Sequence, residues 1–464
     1  MYKSKLIQVF SKLSSKDQLL IKSYLRDISF NTHNKVIELY DFIYEHKESI
    51  HNIDKKTVYH YLFKKDNYND LALRHLMSYL IKLIEQFGII RYNEKSSFEE
   101  YHEEMRFYSS IEYEKGIEET ISRYQKELQK NKVLNTEEIY TKYLVDTFIY
   151  NHSIKQKRTD IVQLSELNKS LDEFFILSKL KVACNIINQQ NIFNLTIDSG
   201  FFKDLMEYVG KLYLSNKMIS LYYHIYKLIS TNDDKIYKFC VENLEECLTI
   251  RKKNDLKDAL VLLINFCIKK INQGDITYEI AVFNHYKIGI DNTILIEKEM
   301  LSPFTYSNAL NIAIKLNDLK WAEEMLEKYK DHLDTEYPHD YYSLNKAKVL
   351  LAYKKFNEAL DFVNKTEIND ILTQLQLRIV QLKIFIELDE YRLAESYIAN
   401  FKQLLKRKGI INYHKTNFNK IASYMLKLIN LAPYSKAGKI KLIKAIQMEP
   451  VLSEKSWLLE KLNN

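Results

Sequence analysis

Eight glycines and four prolines in 464 residues leave this chain few ways to turn sharply. β-Sandwiches and barrels draw on both residues at their many tight turns. Doubly wound nucleotide folds need glycine where backbone approaches phosphate. The scarcity therefore predicts an all-α protein of helices joined by short polar turns. Lysine outnumbers arginine, and the 35 tyrosines, like the many asparagines and isoleucines, match the residue supply of an AT-rich genome. Neither lysine nor tyrosine richness is read as a functional signal.

Helical periodicity fills the chain. Four segments are expected: an N-terminal helical unit over 1–95, degenerate hairpins over 96–300, repeats over 301–410, and capping helices over 411–464. In the first, Ser14, Asn34 and Asp54 are placed to cap helices, their side chains accepting an orphan backbone N–H. Asn69-Asp70 opens a longer helix through Leu73, Leu76, Leu80, Leu83, Ile84 and Phe87, spaced by threes and fours. Gly88 is expected to end it, with an extended run Ile89–Tyr92 after it. That order resembles a winged helix, which reads DNA with its second helix. Arg74, His75, Ser78 and Lys82 would be the reading residues. Further helices are expected near 97–111, 114–130, 136–150, 160–189, 201–213, 217–229, 233–251, 255–272 and 276–287. Exposed linkers are expected at Asn131–Thr136 and Asn151–Arg158, and a break at Ser199-Gly200.

The clearest repetition lies in 304–406. Three helix pairs align on Ala322, Ala359 and Ala394, at intervals close to the roughly 34-residue TPR period. A small residue there lets the second helix approach the first. Leu319, Phe356 and Tyr391, three positions earlier, are expected to plug the gap between the two. The fold expected is thus an α-solenoid of TPR-like hairpins behind the N-terminal unit. Its groove would be lined by first helices, with Asn308, Asn311, Tyr342, Asn345, Lys348, Gln374, Arg378 and Gln381 as the outward polar candidates. After the repeats, Pro433 and Pro450 punctuate the chain, and Ser453 is expected to cap a closing helix that covers the open end.

Charge is uneven. Residues 1–95 carry 16 Lys and Arg against 11 Asp and Glu, and residues 401–464 carry 13 against 3, within a net charge of +7. The middle is therefore acidic. Basic ends suit an anionic partner or an acidic surface of the same protein or a copy of it. Lys402, Lys406, Arg407 and Lys408, then Lys436, Lys439, Lys441 and Lys444, are the C-terminal candidates for nucleic acid.

Catalytic signatures are missing. There is no P-loop, G-x-G-x-x-G, G-x-S-x-G, H-E-x-x-H, EF-hand loop or zinc-finger spacing. His33, His46, His51, His60 and His75 include no i, i+4 pair on one expected helix. The acid clusters Glu99-Glu100 with Glu103-Glu104, Glu118-Glu119 and Glu323-Glu324 suit solvated helix faces. Cys184, Cys240, Cys247 and Cys267 make no C-x-x-C pair, and read as buried small hydrophobes in a reducing cytosol. No enzyme, metal or cofactor is implied. No signal peptide or membrane span is visible, so a cytoplasmic setting is expected.

Two stretches carry a resemblance. The first is Leu13-Ser14-Ser15-Lys16-Asp17 through Leu25, with Phe30-Asn31, Lys35–Tyr40, Leu62-Phe63, Tyr68-Asn69-Asp70 and Leu73–Ser78. The second is Glu454–Lys461. Together they resemble an all-helical family of Bacteroidota that has no assigned activity. The resemblance implies a bacterial cytoplasmic protein with a small N-terminal helical unit and a long TPR-like array, and it brings no catalytic or cofactor residues. Two functions are expected in order. One is a non-enzymatic scaffold or adaptor holding a protein or peptide partner in the groove. The other is a nucleic-acid-binding regulator.

Overall fold

Side-chain caps start several helices where the sequence puts them. Ser14 Oγ accepts from the Asp17 N–H at 3.1 Å and donates to the Asp17 carboxylate. Asp54 accepts from the Thr57 N–H at 2.7 Å, and Asn69 from the Ala72 N–H at 3.0 Å. Asn34 is the exception: it is the first helical residue, one position after His33. The computed structural model describes residues 4–48, 54–64, 67–92, 97–131, 133–156, 161–193, 197–198, 200–250, 253–406, 412–431, 435–449 and 452–463. The chain divides into two units, Met1–Ser110 and Ile111–Asn464. Ser199, Arg407, Lys408, Pro433 and Pro450, singled out above, lie outside the described residues, as does His51.

Unit 1 contains α1 (Lys5–Lys12), α2 (Ser15–Tyr24), α3 (Asn34–Glu45), α4 (Lys55–Phe63), α5 (Asp70–Tyr92) and α6 (Ser97–Ser110). The first four helices pack on α5, and Ile7, Ile21, Leu39, Ile43, Val58, Leu73 and Leu80 are buried in the shared core. Helix α1 was not foreseen, although Leu6, Ile7 and Phe10 carry helical spacing and Ser4 caps it. The winged-helix order is corrected. Ile89–Tyr92 is not extended; α5 runs through Gly88 to Tyr92, and no strand occurs among the described residues of this unit. One glycine inside a helix costs only about 1 kcal/mol. Here the next turn has its own anchor, because Arg91 Nε lies 3.6 Å from the buried Asp17 carboxylate.

Unit 2 begins with α7 (Glu114–Lys130), α8 (Thr136–Gln156), α9 (Ile161–Phe193), α10 (Phe202–Leu212), α11 (Lys217–Thr231), α12 (Asp234–Glu246), α13 (Asn254–Asn272) and α14 (Tyr278–Asp291). A two-residue ladder that periodicity did not signal follows, β1 (Ile296–Glu297) against β2 (Met300–Leu301), with Leu301 also bridging to Leu333. Then come α15 (Pro303–Lys315), α16 (Leu319–Tyr329), α17 (Pro338–Ala352), α18 (Phe356–Asn364), α19 (Ile371–Glu387), α20 (Tyr391–Leu404), α21 (Asn412–Ile429), α22 (Lys436–Met448) and α23 (Lys455–Asn463). The protein is all-α apart from that ladder. Among the described residues, no helix is long and apolar enough to cross a membrane.

Both expected linkers are corrected. Residues 151–156 continue α8, and 157–158 lie outside the described residues. The Asn131–Thr136 segment ends in a buried cap. Asn135 and Glu138 satisfy each other's backbone N–H reciprocally at 2.8 and 2.9 Å, the arrangement of a capping box. Asp255 adds a second lock. Its carboxylate accepts from the Thr136 N–H at 2.6 Å and hydroxyl at 2.5 Å, and pairs with Lys181 at 2.5 Å.

The three hairpins close alike. Asn317, Lys354 and Asp389 each adopt a left-handed backbone near φ +60°, always five residues before the aligned alanine. After each, a backbone N–H reaches back five residues: Asp318 to Ala313, Lys355 to Leu350, Glu390 to Phe385. This double-bonded ending satisfies helix C-terminal carbonyls. Ala322, Ala359 and Ala394 are fully buried. The plug three residues earlier is less regular than expected. Leu319 and Phe356 are half-buried, but Tyr391 is 42 % exposed and donates to Asp389 at 2.6 Å. Ala359→Leu would force three extra carbons into this seam. We expect a loss of about 1–3 kcal/mol, read as a lower thermal midpoint for unit 2.

All four cysteines are buried and unpaired. Burial raises the Cys247 thiol to about 12 and Cys267 to about 11, and lifts Cys184 and Cys240 further. Thiolate is the reactive form. An aromatic disulfide reagent at pH 8 is expected to titrate none of them in the folded protein and all four in denaturant, checked by absorbance of the released thiolate.

Candidate partner-binding face

Helix α15 packs on α16 and α17, α17 on α18 and α19, and α19 on α20. The first helices of the three hairpins thus lie side by side. Their polar candidates do not share one surface.

Asn311 and Lys348 meet across the α15–α17 seam, the ammonium donating to the amide oxygen at 3.0 Å. Asn308, one turn before Asn311, is exposed. Phe304, one turn earlier still, is 69 % exposed. Asn345 is corrected as an outward residue. It is fully buried, its amide donating to Ser307 Oγ at 3.0 Å and to the Tyr341 carbonyl at 2.8 Å.

Tyr342, Arg378 and Gln381 turn toward the second helices. Tyr342 donates to Glu327 of α16 at 3.1 Å, where Lys330 and Lys346 also converge. Arg378 donates to the Tyr397 hydroxyl on α20 at 3.1 Å. Gln381 donates to Asn364 of α18 at 2.9 Å and accepts from Tyr397. Gln374 is half-buried on α19.

The opposite stripe of α19 holds residues that the sequence reading passed over. Lys383 follows Gln381 by two positions, about 200° around the helix. Its ammonium donates to Glu454 at 2.8 Å and lies 5.2 Å from the Trp457 ring centre. Glu387, four residues on, accepts from Trp457 Nε1 at 2.7 Å and pairs with Lys461 at 3.0 Å. The C-terminal helix α23 and the residue before it therefore fold back onto α19. The usable signal was the i, i+4 pair Lys383 and Glu387 on one helix and Glu454, Trp457 and Lys461 at helical spacing on another.

This corner is electrostatically uneven. Burial lowers the Lys348 ammonium to about 8; Glu454 opposes that and Lys383 adds to it. Burial raises the Glu454 carboxyl, but the Lys383 and Lys348 ammoniums outweigh it and hold Glu454 below the usual carboxylate range. Of the two ammoniums, Lys383 is the one in contact with the Glu454 carboxylate. No ion pair reaches Lys348 among the described residues.

The residues suited to nucleic acid are dispersed. Arg74, His75, Ser78 and Lys82 are exposed along α5. Arg74 pairs with Asp70 at 2.5 Å, and Asp70 also takes Lys55 at 3.1 Å and the Tyr68 hydroxyl at 2.6 Å. Lys436, Lys441 and Lys444 are exposed on α22 and Lys439 is half-buried. At about 100° per residue these four fan over roughly 200° of the helix. Lys402 is half-buried and Lys406 exposed on and just after α20.

No three His, Cys, Asp or Glu side chains gather into a metal-ligand set among the described residues. No family model, curated protein or solved structure matches the chain.

Proposed function

We propose that this protein is a non-enzymatic scaffold or adaptor, a TPR-like α-solenoid that holds a protein or peptide partner on the first-helix face of α15, α17 and α19. The observation that supports this best is the threefold recurrence of one hairpin closure. Identical turns at Asn317, Lys354 and Asp389 set successive first helices beside one another, as stacked repeats do when they build an extended binding surface. That face offers an exposed aromatic, Phe304, beside the amide groups of Asn308 and Asn311 and the Lys348 ammonium. An aromatic anchor with adaptable polar neighbours is the composition that binds peptides well.

The test is capture of partners from the native source, identified by mass spectrometry. Phe304→Glu is expected to weaken a stoichiometric partner at least about tenfold while leaving the melting curve in place, because the ring is largely in solvent. A partner held equally by the variant would remove this face from consideration. Arg378 and Tyr342 are poor probes, since each supports a second helix.

The regulator reading draws less support. Phosphate neutralisation needs several cations in one stripe. Helix α5 offers Lys82 beside an Arg74 already committed to Asp70, and α22 spreads its lysines around its axis.

A further inference from the structure

The solvent side of α9 carries an apolar stripe. Helices α8, α10 and α11 pack on the rest of α9, while Leu164, Leu171, Phe175 and Val182 are 40–52 % exposed. These four recur in steps of seven, four and seven, the spacing of a coiled-coil seam. The other seam positions up to Gln189 hold Asn168, Ser178 and Asn185, so the seam has no charge in a chain that is 28 % charged. Phe201, itself exposed, stacks on Phe175 and widens the stripe. Exposed apolar side chains without charges among them are the composition of an interface core.

The charged residues beside the seam divide by direction. Glu173 and Lys181 point into the chain and are paired there, with Lys142 at 3.7 Å and Asp255 at 2.5 Å. Asp172 and Lys179 flank the stripe on one side, and neither has an ion pair among the described residues. Asp172 accepts from the hydroxyls of Tyr213 at 2.8 Å and Tyr208 at 3.4 Å, and Lys179 lies over the Phe201 ring at 5.8 Å. The two sit two helical turns apart, about 10 Å along the axis, too far to pair with each other.

We propose that the α9 stripe is a homodimer interface, covered by α9 of a second copy running antiparallel. A two-fold interface must be self-complementary, residue i meeting j and j meeting i. The stripe meets that condition about one point, between Ile176 and Leu177. Leu171 then faces Val182 of the second copy, Phe175 faces its Ser178, and Asn168 faces its Asn185. Apolar meets apolar, a large side chain meets a small one, and amide meets amide. The same operation sets Asp172 against Lys179 twice, giving each charge the partner it lacks within its own chain. A parallel pair would instead lay Asp172 and Lys179 against Leu167 and Phe174. The inference involves none of α15, α17 and α19, and stands apart from the partner-binding reading of those helices.

Analytical ultracentrifugation of the full-length chain at tens of micromolar is expected to show a dimer. Phe175→Glu should raise its dissociation constant at least about tenfold with the helical circular dichroism unchanged. Should that variant lose its fold with the Phe201 stack, Leu171→Glu takes its place. Charge reversal reads the register. Asp172→Lys and Lys179→Asp should each weaken the dimer about tenfold, and the two together should restore it. Cross-linking reads the orientation, because the four native thiols are buried and only introduced ones meet an oxidant. A mixture of Leu171→Cys and Val182→Cys chains should form a disulfide-linked pair, and neither chain should do so alone. A monomer at every concentration, a dimer indifferent to Phe175→Glu and Leu171→Glu, a charge exchange that restores nothing, or Leu171→Cys linking to itself would overturn the proposal. A monomer that captures a different protein, and loses it in Leu171→Glu, would give the stripe to that protein and overturn the assignment to a second copy.

Discussion

Asp255→Ala is expected to destabilise unit 2 by about 3–5 kcal/mol, the usual penalty for removing one partner of a buried, hydrogen-bonded ion pair. The carboxylate is nearly buried and holds three donors. Its loss leaves the Lys181 ammonium without its 2.5 Å partner. It also removes the acceptor for the Thr136 N–H and hydroxyl at the start of α8, a site where helices favour negative charge. Asp255 lies 119 residues from Thr136 and 74 from Lys181, so one side chain ties α8 and α9 to α13. Asp255→Asn should cost less, since the amide oxygen still accepts. Lys181→Met in the Asp255→Ala background should recover part of the loss, because the uncompensated charge is then gone. Urea unfolding followed by helical circular dichroism reads all three. An Asp255→Ala curve superimposable on wild type would show the pair to be energetically idle.

Acidification is the second large effect. His285 is buried, its Nε2 2.6 Å from the Tyr237 hydroxyl, and Nδ1 meets no hydrogen-bond partner. Burial lowers its pKa to about 4. Above the unfolded value of about 6.5, both states are neutral and the residue contributes no pH dependence. As pH falls below that, the unfolded chain takes up a proton that the folded one refuses. Stability therefore drops progressively from pH 6.5 to about 4. The loss is about 2 kcal/mol at pH 5 and about 3 kcal/mol once both forms are protonated. His285→Gln should flatten this part of the slope, at the cost of a lower plateau at neutral pH. Urea midpoints at pH 7.5 and 5.0 for the two chains provide the check, and identical slopes would rule out His285 as the source.

Much of the fold was legible because amphipathic periodicity and caps are local. Helix α7 begins and ends where the spacing put it, and Ala322, Ala359 and Ala394 are buried as a small-residue position requires. Three kinds of feature were hidden. Gly88 reads as a stop, but whether a glycine ends a helix depends on what holds the next turn, here an Arg91–Asp17 contact 74 residues apart in sequence. The Asn131–Thr136 segment looks exposed because its residues are polar, yet its polarity is consumed by Glu138 and by the distant Asp255. The candidate face was read from polarity along each helix, which cannot say which of two polar stripes meets a neighbour. On α19 the stripe of Arg378 and Gln381 turns to α18 and α20, while Lys383 and Glu387 meet a segment about 70 residues downstream. The spacing of Lys383 and Glu387 marks a stripe, but nothing within a helix-length window names the partner it meets.

The left-handed turns show how this chain ends helices with little glycine. Nine residues other than glycine take this conformation among the described positions, Asn317, Lys354 and Asp389 included, against Gly200 and Gly274. Each such residue gives up roughly 1 kcal/mol relative to glycine. Glycine codons begin with two guanines, whereas asparagine and lysine codons begin with two adenines. A chain with eight glycines in 464 residues has little of the residue best suited to a tight helix ending and uses the next best. The protein then closes its hairpins with asparagine, lysine and aspartate, and relies on the double backbone bond and the buried alanine behind each turn to hold them.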